Sequence, residues 1–314
     1  MKKFIRVIIE LLVLFFYNLK LYRLTNRLGI YRPRIVSRID GGLGSQMWQF
    51  ALGYSFSKST GLPFTLENDF FLHNGRDCNG KKNRNFLLFE VFPRISAEFE
   101  KSRRYMYFFR DRTRRSTYDY NPELLLSGRP IYLSQYYANV KYISNYHSDL
   151  VTLFDFIPTM NDKEERLAAE IASTNSCMVH IRKGDFVGLC IDVCTDSYYV
   201  NAIRTMADIE PDTVFYIFSN DEEYFEQRIY PHCQGYKFRI INNRCEEDPR
   251  VDFYLMKLCK NAIISNSGFS WMAAWLKKDT AQVIMPDHWN NDPARTKQSE
   301  TAFSVPGWIK LQTR

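Results

Sequence analysis

In this chain, chemically versatile side chains recur just past apolar runs. Arg182 and Asp185 follow Cys177–Ile181, Ser219, Asn220 and Asp221 follow Val214–Phe218, and a run from Ser265 to Ser270 closes Ala262–Ser265. An Arg offers a planar fork for two anionic oxygens, and a helix start offers unpaired backbone N–H groups. Guanidinium, small hydroxyls and amides, and a helix beginning after Ser270 together describe a phosphate site. Carboxylates do not bind phosphate, so Asp185 and Asp221 suit the hydroxyls of a ribose or the edge of a guanine. Each residue also has a local reading. Ser270 would serve as an N-cap, Asp221 as the cap of the following helix, and His180 as a core histidine.

Other chemistries lack their residues. Asp-x-Asp is absent, as are His-Glu-x-x-His and a Gly-Lys-Ser/Thr phosphate loop. The run Gly42-Leu-Gly44-Ser-Gln-Met has no third glycine of a dinucleotide fingerprint, and no Gly-x-Ser-x-Gly elbow exists for a serine nucleophile. Charge left on a departing diphosphate would therefore fall to Arg182 and backbone dipoles, with no metal.

The elements that must position these residues alternate. Ile35–Ile39 reads as a strand, followed by a Gly-rich turn, a helix through Gln46, Phe50 and Tyr54, and a stop at Gly61-Leu-Pro63. Phe64–Glu67 resumes as a strand. Residues 70–146 are aromatic, basic and weakly patterned, predicting helices and loops with little strand. Then follow helix Asp162–Ser173, strand Cys177–Ile181, helix Ser197–Met206 and strand Val214–Phe218. Helix Tyr224–Tyr230, strand Lys237–Ile241, helix Val251–Cys259, strand Ala262–Ser265, helix Ser270–Leu276 and strand Gln282–Met285 complete the series. Such alternation implies doubly wound α/β sheets, with ligands outside the carboxyl ends of the strands. Three polar loops then converge on one rim.

At 314 residues, 45% hydrophobic and 25% charged, the chain suits two globular domains. Its +7 charge is concentrated: residues 1–38 hold nine Lys or Arg against Glu10, and Lys101–Arg115 holds seven against Asp111. Nucleic-acid readers spread basic charge over a face, so no nucleic-acid partner is expected. The segment Phe4–Tyr17 is apolar except for Arg6 and Glu10. At 1.5 Å per residue it falls short of the roughly 30 Å hydrocarbon core, which predicts an amphipathic helix lying on an anionic membrane surface, at its cytoplasmic face, with a short signal-anchor or a helix docked on the protein itself as the alternatives. Seven cysteines without framework spacing read as reduced thiols.

Four blocks together resemble the α-1,2-fucosyltransferases, glycosyltransferase family 11. They are Gly41-Gly-Leu-Gly-Ser-Gln-Met-Trp-Gln-Phe-Ala51, Val179-His-Ile-Arg-Lys-Gly-Asp185, Phe218-Ser-Asn-Asp221 and Ile264-Ser-Asn-Ser-Gly-Phe-Ser-Trp-Met-Ala-Ala-Trp-Leu276. Order and spacing agree from about Ile35 to Met285. The resemblance implies a GT-B-like α/β fold, two Rossmann-type domains facing a cleft. Residues 1–34 would be a basic membrane-associating segment, 35–160 the acceptor-side domain and 161–314 the domain that binds GDP-fucose. It implies inverting, metal-independent transfer of fucose to the 2-hydroxyl of a terminal galactose, in a bacterial surface polysaccharide or O-antigen glycan that would be lipid-linked. No cofactor is implied. A fucosyltransferase of another linkage, or a non-catalytic nucleotide-binding component of a polysaccharide-assembly complex, is the alternative.

By motif, Arg182, Asp185 and His180 would form the catalytic set, Arg182 contacting the diphosphate. Gly42, Gly44, Ser45 and Gln46 would approach the donor from the first domain. Ser219, Asp221, Asn266, Ser267, Phe269 and Ser270 would line the donor site. Ser45 stands where the family pattern has Asn, a shorter reach without an amide fork. Lys183 stands for Arg, keeping the charge without the fork.

Overall fold

A computed structural model describes residues 33–73, 84–100, 117–126, 129–241, 248–277 and 280–313. Residues 1–32 of the predicted membrane-associating segment and the Lys101–Arg115 run lie outside the described residues. No described helix is long and apolar enough to cross a membrane.

Strand β1 (Ile35–Arg38) leads through a glycine turn into helix α1 (Leu43–Thr60), then β2 (Phe64–Glu67). Helix α1 stops where predicted. Gly61 adopts a left-handed φ of 69° and its N–H returns to Ser57 O, a cap that a β-carbon would strain. The middle of the chain is mostly short helical turns, but it contributes β3 (Glu98–Phe99) and β4 (Ile131–Leu133). The four strands form a parallel sheet in the order β3-β2-β1-β4.

Helix α2 (His147–Leu153) ends this half. Helix α3 (Asp162–Ser173) opens the next with a capping box. Asn161 accepts from the Glu164 N–H, and Glu164 reaches back to the Asn161 N–H. There follow β5 (Ser176–Ile181), α4 (Asp196–Ile209), β6 (Val214–Ser219), β7 (Lys237–Ile240) and α5 (Pro249–Leu258). The chain continues through β8 (Asn261–Ile263), α6 (Gly268–Trp275) and β9 (Val283–Pro286), then α7 (Pro293–Ala302) and β10 (Ile309–Leu311). The second sheet is parallel, in the order β10-β9-β8-β5-β6-β7. Two Rossmann-type α/β domains are thus present, as the sequence pattern implies.

Both sheets reverse direction once. The first grows from β1 to β2 and β3, then returns to β1's other side with β4. The second grows from β5 to β6 and β7, then returns with β8. The β1/β4 and β5/β8 gaps are therefore topological switch points, where doubly wound sheets open a crevice at the carboxyl ends of their strands.

One apolar core runs through both halves. Trp48 of α1 packs edge-on against Trp271 of α6 at 5.3 Å and against Phe303 at the same distance, while Phe92 meets Phe253 at 6.1 Å. His147 in α2 bonds the Trp275 carbonyl at 2.8 Å. Aromatic pairs of this kind hold a fixed geometry beyond simple area burial.

One expectation is corrected. Helix α6 begins at Gly268 with Ser267 as its N-cap, accepting from Phe269 N, so it does not begin after Ser270. Gly268 lowers local helix propensity and pushes the apparent start onward. The contact described below explains why a glycine stands there.

Candidate active site

The second domain's crevice is built from the ends of β5, β6 and β8. His180, the second-last residue of β5, is buried, and its Nδ1 lies 2.9 Å from Ser265 Oγ beyond β8. Burial, and then the neighbouring Arg182 guanidinium, push the His180 pKa down to about 3, which keeps the imidazole neutral. The hydrogen bond closes the switch point by joining β5 to the loop after β8.

Arg182 follows, half-buried, with its guanidinium 5.5 Å above the Phe186 ring. That cation–π contact fixes the plane of the fork. Lys183 turns the other way. Its Nζ is buried against Asp192 Oδ1 at 2.9 Å and Cys194 O at 2.7 Å, with the Tyr224 ring at 4.9 Å. The second cation of the motif thus holds the 184–194 loop, while Arg182 stays at the crevice.

The next loop supports this one. Asn220 accepts from Lys183 N at 2.9 Å and donates to Lys183 O at 3.3 Å, an amide fork across two loops. Ser219 Oγ accepts from Asp221 N and donates to Asp221 O, and Asp221 Oδ1 accepts from Tyr224 N. The local reading of Asp221 as a helix cap is therefore what the geometry presents. Asn266 is buried, donating to Ile191 O at 2.8 Å and Trp289 O at 3.3 Å. Ser270 is fully buried and donates to Ser267 O at 3.3 Å. These predicted site residues gather at one rim, yet several act as its framework. The backbone of Asp185 lies in the short turn Gly184–Phe186 beside Arg182.

The first domain supplies the facing wall. Gly41 has a φ of 74°, and Gly42 starts α1 without a side-chain cap. Gln46, predicted to meet the donor, is buried and shapes the turn: Nε2 donates to Gly41 O and Asn85 O, and Oε1 accepts from Leu87 N. A β-carbon on Gly44 would stand 2.6 Å from Phe269 Cα and 2.7 Å from Gly268 C. The backbones of the two domains thus touch where α1 and α6 begin. Two helix N-termini, each with orphan N–H groups and a partial positive charge, converge at the cleft.

Sequence reasoning missed three groups at this wall. A β-carbon on Gly42 would lie 3.9 Å from an Arg84 nitrogen, so a second guanidinium stands beside the turn. Asp40 ends the segment after β1, and Tyr136 follows β4. Tyr136 Oη donates to Asp40 Oδ1 at 2.7 Å, and Gln49 Nε2 donates to the same oxygen at 2.9 Å. Arg38 Nε stands 3.4 Å from Oδ2. Tyr136 is 40% exposed as a residue, yet desolvation of its hydroxyl, followed by the Asp40 charge, raises its pKa well above the usual phenol range. Asp40 precedes Gly41 at a strand end, and that was the available signal.

Residues 126–312 match the model of glycosyl transferase family 11. The alpha-1,2-colitosyltransferase of Escherichia coli is 31% identical over 285 residues, covering 81% of this chain and 92% of that protein. The O-antigen biosynthesis glycosyltransferase WbnK, also of Escherichia coli, is 26% identical over 314 residues, covering 88% and 99%. A galactoside 2-alpha-L-fucosyltransferase of Caenorhabditis elegans is 27% identical over 138 residues, covering 42% and 39%.

Proposed function

The chain belongs to glycosyl transferase family 11, and from that premise we propose that it moves fucose from GDP-fucose to the 2-hydroxyl of a terminal galactose, inverting the sugar and using no metal. The observation that carries the reading is the placement of Arg182 just past β5 and the α6 N-terminus just past β8, at a switch point joined by His180 and Ser265, with the α1 N-terminus packed against α6 from the other domain. Fucose departs with oxocarbenium character while negative charge grows on the β-phosphate. A guanidinium and backbone N–H groups fixed beforehand stabilise that charge without reorganising, and losing one such donor typically costs on the order of 10²–10³ in rate.

In this reading residues 161–314 hold the donor and residues 35–160 the acceptor. Arg182 takes the diphosphate oxygens. Asp185, by its place in the motif, accepts from the nucleoside, and Phe269 and Ser267 flank the donor at the start of α6. His180 stays neutral and positions the β5 and β8 ends. The role of the WbnK relative in O-antigen biosynthesis supports a surface-polysaccharide acceptor. The basic segment of residues 1–38 would then bring the enzyme to the membrane's cytoplasmic face.

A second donor is favoured by one observation: the 31% identical relative is an alpha-1,2-colitosyltransferase. The alpha-1,2 linkage in that name agrees with the reading above, while the sugar it transfers is colitose. Incubating the protein with galactosyl disaccharides and either GDP-fucose or the colitose donor, with product linkage read by NMR, tests both. An α-1,2-fucosylated product is expected. GDP release without any glycan product, or a different linkage, contradicts the reading.

A further inference from the structure

The first domain carries a crevice of its own, and its occupants point to the step that the donor side leaves undone. Strand β1 lies between β2 and β4, and the chain switches sides there, so the carboxyl ends of β1 and β4 open a ligand position. Asp40 flanks it from β1 and Tyr136 from β4, joined by a 2.7 Å hydrogen bond. The adjacent turn, Gly41 to Gly44, ends against Phe269 of the other domain. The Asp40 carboxylate therefore lies within one short turn of the junction at which the donor's reacting carbon would be presented. A half-exposed aromatic ring beside a carboxylate is also the combination that suits a sugar, with one face to stack and one group to accept from a hydroxyl.

We propose that Asp40 is the catalytic base of the transfer, taking the proton from the acceptor's 2-hydroxyl as that oxygen bonds to the fucose anomeric carbon. The bond from that carbon to the β-phosphate oxygen breaks in the same step, its electron pair leaves with GDP, and the proton resides on Asp40. The assignment rests on the fucosyl-transfer reading above.

The cage around Asp40 fits this role. Oδ1 is held by Tyr136 and Gln49, while Oδ2 meets Arg38 only at 3.4 Å, longer than a good hydrogen bond, and keeps a lone pair for an incoming hydroxyl. The Asp40 N–H donates in turn to Gln49 Oε1 at 2.8 Å, so one amide clasps both the backbone and the carboxylate of Asp40. Two other candidates are committed elsewhere. His180 is neutral, bonded to Ser265 and a poor proton acceptor, and Asp221 caps the turn at Tyr224. Ser45 lies beside Tyr136 Oη, where a longer asparagine would crowd the pair.

Asp40→Asn keeps the size of the group and its oxygen for Tyr136 and Gln49, but cannot take a proton. With GDP-fucose and a galactosyl disaccharide, kcat should fall on the order of 10²-fold or more. The KM for acceptor should stay within about threefold, and the GDP Kd and thermal midpoint should match the parent. Tyr136→Phe, which leaves the carboxylate in place, should lose about tenfold in kcat. Asp40→Asn with kcat within about threefold of the parent overturns the assignment. So does a loss of turnover that appears only together with lost GDP binding or a lowered thermal midpoint, since that marks a structural role. If the parent protein itself gives no fucosylated product, the transfer reading fails, and Asp40 fails with it rather than on its own account.

Discussion

Gly44 and Phe269 meet backbone to backbone across the cleft, although one lies at the start of α1 and the other at the start of α6. The hypothetical β-carbon at Gly44 falls 2.6 Å from Phe269 Cα. That approach brings two helix N-termini together, and a diphosphate is the natural neutraliser of such a pair.

Gly44→Ala should therefore damage the junction itself. The added methyl meets backbone rather than a flexible side chain, so the helices must separate, at a cost of roughly 1–3 kcal/mol. Urea unfolding should show the loss, and calorimetry should show weaker GDP binding. Unchanged stability and affinity would mean the two backbones do not approach so closely.

His180 makes stability depend on pH. Its pKa falls from 6.5 to about 3 on folding, so between those values the unfolded chain binds a proton that the folded chain refuses. The stability present above pH 6.5 is lost progressively as pH drops toward 3, by an amount on the order of a few kcal/mol. His180→Asn cannot take up that proton in either state. Its urea midpoints at pH 7, 5 and 4 should decline less steeply than the parent's, and an equal decline would assign the acid sensitivity to other groups.

Lys183 and Arg182 are neighbours with opposite duties, and variants should separate them. Lys183→Met leaves Asp192 and the Cys194 carbonyl without their buried ammonium. Asp192 is partly exposed, which reduces the penalty, so a loss of about 1–3 kcal/mol is expected. GDP affinity should fall less than in Arg182→Ala. The reverse order, with Lys183→Met weaker for GDP than Arg182→Ala, would place Lys183 at the phosphates.

Much of this arrangement was legible from residue pattern. Strands β1, β2 and β5 to β9 fall within two residues of the runs that predict them, and α1 and α3 announce themselves through Gly61 and the Asn161–Glu164 box. Strand β4 was not legible. Ile131-Tyr-Leu133 is too brief to show alternation, and its place beside β1 comes from pairing, Ile35 with Ile131. Strand β10 is as brief, and helix α7, Pro-Ala-Arg-Thr-Lys-Gln-Ser-Glu-Thr-Ala, carries no apolar stripe to announce it. The inward turn of Lys183 depends on Asp192, nine residues on. Asp40 and Tyr136, 96 residues apart, become partners only when the sheet reverses direction. Local chemistry thus located the rim of the second domain, while the facing wall of the first needed the topology.

In the proposed transfer, Arg182 and backbone N–H groups receive a nucleoside diphosphate unaided by a cation. Titrating GDP in EDTA into the parent, Arg182→Lys and Arg182→Ala proteins tests it most directly. Binding by the parent should persist, and both variants should weaken, Arg182→Ala by on the order of 10²-fold. Binding that vanishes with EDTA, or an Arg182→Ala protein that holds GDP as tightly as the parent, would contradict the account.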